Sequence, residues 1–264
     1  MINGSCGRAR KRVSRMPARH SKYPSINDLS DEERIRLVRR IFSSVTDRYD
    51  FLNRLLSARR DVAWRRFMIR KLHFFSTYRL LDLATGTGDV AIGAAREHDR
   101  AIIIGLDFAR PMLEAARKKV EESGWGKRIS LMQGDAMNLP FPEETFDGVT
   151  VAFGIRNMPD RHRVFKEMMR VLVPGGKVHI LELTAPQSRW FRKVYLPYLK
   201  HILPRLSHWF TKDPAAYQYL AESILHFPSP HELAKEMKEA GLVEVENFPL
   251  SLGITNLHQG RKPM

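Results

Sequence analysis

Between residues 78 and 262 the apolar positions follow two alternating rhythms. YRLLDLA (78–84), AIIIGLD (101–107), RISLMQGD (128–135), FDGVTVAF (146–153) and KVHILEL (177–183) are short, nearly continuous apolar runs. Their length and branched side chains suit strands buried on both faces. Between them, DVAIGAARE (89–97), RPMLEAARKKVEESG (110–124) and DRHRVFKEMMRVL (160–172) repeat apolar residues at helical spacing. Gly124 supplies a helix stop, and Pro174, Gly175 and Gly176 a turn into the fifth strand. Strands alternating with amphipathic helices predict an α/β fold with a parallel sheet covered on both faces.

The alternation breaks after Leu183, at RWFRKVYLPYLKHILPRLSHWF (189–210), and resumes with HELAKEMKEAG (231–241), LVEVENF (242–248) and GITNLHQG (253–260). Upstream, Ser30 caps a helix with Glu33 three residues on, and Ile35, Val38, Phe42 and Val45 recur at helical spacing. The chain therefore divides into an arm over residues 1–28 and one α/β domain over 29–264. Within that domain 29–75 form a helical cap, and 185–228 form a helical insertion placed to act as a lid.

Composition narrows the function. At 264 residues and 43% hydrophobic content the chain buries a full core. No apolar run reaches the roughly 18 residues of a membrane span. The lone Cys6 excludes an internal disulfide framework and a cysteine-based zinc site, and the amino terminus lacks a signal-like apolar stretch. A cytoplasmic protein, peripheral on the inner face of the membrane, is the expectation. The net charge of +15 is uneven: residues 1–22 hold seven Lys/Arg and 189–212 hold six, with no acid in either block. The first block has no hydrophobic pattern and reads as a disordered basic arm, compatible with weak anion binding or with a transit peptide.

Ligands of open parallel sheets bind beyond the carboxyl ends of the strands. The first end reads Asp82-Leu-Ala-Thr-Gly86-Thr87-Gly88-Asp89-Val-Ala91, where two glycines allow a tight turn and close backbone approach. The pattern satisfies Gly-x-Gly-x-x-Ala, with Asp107 at the next strand's end to take ribose hydroxyls. On these residues NAD and S-adenosylmethionine stand level. Gly134-Asp135-Ala136 ends the third strand where an adenine amino group needs an acceptor, which dinucleotide folds do not require. Together with Arg170-to-Lys177, this order of signals resembles the class I S-adenosylmethionine-dependent methyltransferases. The resemblance implies a Rossmann-like seven-stranded sheet, ending in a reversed hairpin, with amino-terminal helices and a helical insertion between strands 5 and 6.

Further segments narrow the match. Tyr49-Asp50-Phe-Leu-Asn53, Trp64-Arg65-Arg66, Phe153-Gly-Ile-Arg156-Asn157 and Tyr217-Gln218-Tyr219-Leu220 resemble the quinone-biosynthesis C-methyltransferases, which act on demethylmenaquinone or a polyprenyl methoxybenzoquinol. That resemblance implies S-adenosyl-L-methionine as cofactor. It sets the cofactor against Asp82, Gly86, Thr87, Gly88, Asp107, Asp135, Ala136 and Ala152, and makes Arg156, Asn157, Tyr49 and Asp50 the catalytic set. It departs at Arg54 and Arg59-Arg60-Asp61, and at Ala152 where some relatives carry serine, so a contact there is backbone or apolar.

The acceptor is then a hydroquinone ring carbon, made nucleophilic when a ring hydroxyl with a pKa near ~10 loses its proton. Arg156, too basic to remove that proton, is expected to stabilise the phenolate, and Asn157 to hold the ring oxygen or a water. Pairing of Arg156 with Asp160 is the plain structural alternative. Gly154 is expected to let the backbone turn close to the ligands. No metal is required, since the sulfonium is already activated. The basic, aromatic 189–212 segment suits an anionic membrane surface from which a prenyl chain is drawn. RNA methylation, which the same segment also suits, and a non-catalytic cofactor- or quinone-binding subunit are the alternatives. No specific nucleic acid is expected, and a homodimer is left open.

Overall fold

A computed structural model describes residues 30–46, 49–198 and 215–264. The basic arm lies outside these residues, as does most of the basic, aromatic stretch in the insertion. Helices α1 (Asp31–Val45), α2 (Tyr49–Leu56) and α3 (Arg60–Ile69) precede the sheet. There follow β1 (Arg79–Leu83), α4 (Asp89–Glu97), β2 (Ile102–Asp107), α5 (Arg110–Ser123), β3 (Ile129–Gln133), β4 (Phe146–Ala152), α6 (Arg161–Val171) and β5 (Leu172–Leu183). The chain then forms α7 (Arg189–Pro197), α8 (Ala215–His226), α9 (Pro230–Glu239), β6 (Val243–Leu250) and β7 (Thr255–Arg261). Ser30 and Glu33 make the expected reciprocal cap of α1.

The seven strands lie in the order β3-β2-β1-β4-β5-β7-β6, parallel except for β7, which runs antiparallel to both its neighbours. The β6–β7 pair is the reversed hairpin that the resemblance implies. β5 begins earlier than KVHILEL: Leu172 already pairs with Phe146, and the register shifts before Gly148 meets Lys177.

Successive strand residues face opposite sides, so runs such as Leu80-Leu81 feed two cores at once. On one face Val164, Phe165 and Met168 of α6, with Leu233 and Met237 of α9, join Leu81, Phe146 and Val178. On the other, Met68 and Ile69 of α3 and Ala91, Ala94 and Ala95 of α4 join Leu80 and Ile103. A third cluster joins Val38 and Ile41 of α1 to Tyr195 of α7 and Tyr219, Ala221 and Ile224 of α8, so the cap and the insertion meet. Among the described residues no helix is long and apolar enough to cross a membrane.

The strand order reverses between β1 and β4, where successive connections leave on opposite faces of the sheet. Their carboxyl ends part there, and the crevice that opens is the place for a ligand.

Candidate active site

A cavity of about 360 Å³ occupies this crevice. Its floor comes from the ends of four strands: Ala84 and Gly86 after β1, Asp107 and Phe108 at β2, Gln133 to Met137 after β3, and Ala152 to Gly154 at β4. Ile35, Val38 and Arg39 of α1 close it from above, and Asn157, Met158 and Pro159 form a side wall.

The β1 turn is built from left-handed residues: Ala84 at φ 51°, Gly86 at 55° and Gly88 at 83°. A Cβ on Gly86 would meet only Ala84 O, at 4.0 Å, and would project into open space at the cavity wall. The glycine keeps that space for a ligand. Asp107 reaches back to the same turn. Its Oδ2 accepts from Gly86 N at 2.8 Å and its Oδ1 from Ala109 N at 2.9 Å. Burial raises its pKa while these backbone donors pull it down, the former prevailing. Two backbone donors thus hold an acceptor group at the cavity wall. Asp135 accepts from Met137 N at 2.8 Å, which folds the loop carrying Ala136 along the cavity.

Three expected cofactor residues sit behind this wall rather than in it. Asp82 is 1% exposed, and both its oxygens are engaged, by Thr85 Oγ1 at 2.6 Å and Thr150 Oγ1 at 2.7 Å. Burial raises its pKa to about 6. A buried carboxyl draws its partners from the nearest hydroxyls, so Asp82 ties the β1 turn to β4, outside the cavity lining. Gly88 opens α4 in the left-handed conformation, at φ 83°, with its Cβ position at ordinary contact from Ala116, so its role is the turn into the helix. Thr87 donates to Asp50 at 2.6 Å.

That bond joins two residues assigned to different roles from the sequence, cofactor binding for Thr87 and catalysis for Asp50. Asp50 also takes Lys119 Nζ at 2.6 Å, and Lys119 bonds Asp89 as well. Arg54 and Arg65 approach Asp89 at 3.9 and 3.8 Å. Burial works against ionised Asp50, but the Lys119 and Thr87 hydrogen bonds outweigh it and lower its pKa. The result is a polar seam that docks α2 and α3 on the glycine turn and α5. Tyr49 begins α2, and its side chain is outside the described structure.

The β4 end departs most from expectation. Phe153, not Gly154, carries the left-handed turn, at φ 62°, while Gly154 is at −114°. Gly154 is required for a different reason: a Cβ there would lie 2.6 Å from Ala84 Cβ. Phe153 is held by Trp64 at 6.2 Å between ring centroids, and by the Arg65 guanidinium 5.1 Å over its ring. After it, Ile155–Asn157 form one 3₁₀ turn.

Arg156 does not line the cavity. It is 6% exposed, and its Nη1 pairs with Glu182 of β5, itself fully buried, and donates to Phe153 O at 2.7 Å. A cation buried this deeply needs a buried counter-charge, and Glu182 is within reach. Asp160, the alternative partner, caps α6 instead through Arg163 N. Asn157 does line the cavity, and its Oδ1 accepts from Tyr219 of α8 at 2.9 Å. Neither Glu182 nor Tyr219 stood out in the sequence as a site residue. Tyr219 falls inside a quoted motif, whereas Glu182 looks like any polar residue in a strand.

A model of the ubiE/COQ5 methyltransferase family matches residues 27–262. The chain is 40% identical over 226 residues to a ubiquinone/menaquinone biosynthesis C-methyltransferase of Geotalea daltonii, covering 85% of this chain and 96% of that one. It is 40% identical over 235 residues to a demethylmenaquinone methyltransferase of Anoxybacillus flavithermus, covering 89% and 98%. Among solved structures, a SAM-dependent methyltransferase of Thermotoga maritima shares the fold, with a TM-score of 0.59 and 22% identity over 84% of this chain and 99% of that one.

Proposed function

We propose, since the chain belongs to the ubiE/COQ5 methyltransferase family, that it uses S-adenosyl-L-methionine to methylate a ring carbon of a prenylated hydroquinone. Demethylmenaquinol is the principal acceptor and the benzoquinol of ubiquinone synthesis a second. The observation that carries this reading is that Asp107 and Asn157 wall one chamber. One offers an anchored acceptor, suited to ribose hydroxyls, and the other an amide, suited to a ring oxygen.

The residues present fit the cofactor. Asp107 is an oxygen acceptor facing the chamber and suits a vicinal diol, the space kept open at Gly86 suits close backbone approach, and Ala136 and Met137 give an apolar wall for a purine. S-adenosylmethionine supplies an electrophilic methyl on a sulfonium. The chain's part is to fix the acceptor carbon in line with that methyl, to hold water away, and to favour the phenolate. Alignment in a dry pocket contributes much of such a rate. Asn157 presents its amide hydrogens to the ring oxygen, where negative charge develops.

The insertion over 185–228 serves as the lid, and its exposed face as the contact with an anionic membrane surface. Trp190 at 74% exposure, with Arg192 and Lys193 beside it on α7, supports that contact. The test is incubation with methyl-labelled S-adenosylmethionine and, separately, demethylmenaquinol, a demethylated benzoquinol and bulk RNA. Label is expected in the quinols. Label entering RNA alone would sink the proposal, and tight cofactor binding with no transfer would favour a binding subunit.

A further inference from the structure

Asn157 is the polar group of the side wall, and an amide has two unlike ends. Which end faces the chamber decides whether it helps or opposes a phenolate, because only the amide nitrogen donates. The choice is made from outside the sheet. Tyr219, on α8, is 7% exposed and donates its hydroxyl to Asn157 Oδ1 at 2.9 Å. With the carbonyl end so engaged, the N–H₂ end is turned away from Tyr219. The tyrosine belongs to the apolar cluster that also holds Val38 and Ile41 of α1, Tyr195 of α7 and Ile224 of its own helix. The amide's backbone is also held, since Asn157 N donates to Gly154 O at 3.1 Å within the 3₁₀ turn.

We infer that Tyr219 is a positioning residue for methyl transfer: its hydroxyl orients the Asn157 amide so that the N–H₂ end serves the acceptor's ring oxygen. This rests on the quinol reading above. It also gives the insertion a task at the site, since α8 sets the polarity of the acceptor wall from behind it. An amide turned the other way would leave an oxygen lone pair facing a forming phenolate.

The test uses 1-naphthol, a ring phenol that accepts no prenyl chain, bound to the full chain saturated with S-adenosylhomocysteine. Its phenolate absorbance is titrated with pH. In the wild type the bound naphthol is expected to ionise at lower pH than in solution. Tyr219→Phe should raise its proton affinity about tenfold, one pH unit, and Asn157→Ala should do the same. The double variant should go no further than either single one, because both remove the same donor. In turnover, Tyr219→Phe should lower kcat about tenfold near neutral pH, leave the KM for S-adenosylmethionine unchanged, and lose less at alkaline pH.

Additive effects in the double variant, or a Tyr219→Phe titration like that of the wild type, would overturn the inference. Asn157→Asp provides a measurement that leaves Tyr219 in place. It keeps an acceptor for the hydroxyl and puts an anionic oxygen where the donor stood, so naphthol should ionise later than in Asn157→Ala; an unchanged titration there also overturns it. Failure of the wild type to bind naphthol and to methylate any quinol would instead sink the quinol reading, and this inference with it.

Discussion

Arg156 and Glu182 show how much a single buried pair decides. With the guanidinium 6% exposed and the carboxylate fully buried, neither charge has water to fall back on. Removing one partner of such a pair costs about 3–5 kcal/mol, whereas replacing both by apolar groups of similar volume is often neutral. Arg156→Met should therefore lower the free energy of urea unfolding by about that amount, and the double variant Arg156→Met/Glu182→Leu should recover most of it. Arg156 also holds the carbonyl of left-handed Phe153, so the single variant should disturb the wall that carries Asn157. Gly154→Ala makes a separate test of the same turn. Its Cβ would lie 2.6 Å from Ala84 Cβ, with backbone behind both. We expect a loss of roughly 1–3 kcal/mol, the usual cost of overpacking, again read from urea unfolding. At this scale Asp107 and Asp135 were legible in the sequence because a strand end and its register place them without help from elsewhere. Arg156 was expected to face the acceptor, but it turns to Glu182, outside the cavity lining. Its counter-charge is 26 residues away on the neighbouring strand, and a glutamate within KVHILEL gives no local sign of what it faces.

Among the elements, the docking of α2 on the glycine turn rests on charge rather than on apolar area. Lys119 of α5 bridges Asp50 of α2 and Asp89 of α4, and its side chain is 28% exposed. Pairs with that much access to water contribute about 1 kcal/mol or less. Lys119→Met should accordingly leave global unfolding nearly unchanged while increasing hydrogen exchange over Tyr49–Leu56, and raised salt should do the same to the wild type. The strands, the glycine turn and the Ser30 cap of α1 were legible because each has a short-range cause: apolar rhythm, backbone conformation, a hydroxyl three residues from a glutamate. The polar seam was not. Its bonds join residues 37 and 69 positions apart, a separation at which chemistry leaves no spacing to read.

Across the whole molecule, acid stability reflects buried groups outside the lining of the ligand chamber. His179 lies in β5, fully buried, with Nε2 3.2 Å from Lys71 O, and burial depresses its pKa from 6.5 to about 4. The unfolded chain therefore takes up this proton first. The stabilisation is complete above pH 6.5 and is lost as pH falls from there through about 4, by about 3 kcal/mol in all. Asp82 works in the opposite sense over nearly the same range. Burial raises its pKa from 3.8 to about 6, so the folded state holds the extra proton and stability declines as pH rises between those values. The two slopes offset each other. His179→Gln, which cannot titrate, should leave the Asp82 slope exposed. Its urea midpoint should change relative to the wild type between pH 6.5 and 4, the variant gaining as pH falls, and be constant above 7. The alternation of strand and helix and the parallel sheet were legible at this scale from chain-wide periodicity, whereas the terminal hairpin came from the family resemblance of the motifs.

The bond between Tyr219 and Asn157 carries a consequence in time. During synthesis the chain emerges from its amino terminus, and the strand ends that wall the cofactor side are complete once residue 154 is out. The hydroxyl that turns the acceptor-side amide is made later, with α8, roughly 3–13 seconds on at about 5–20 residues per second. A nascent chain thus carries the residues of the cofactor-side wall before it carries the tyrosine that orders the other side.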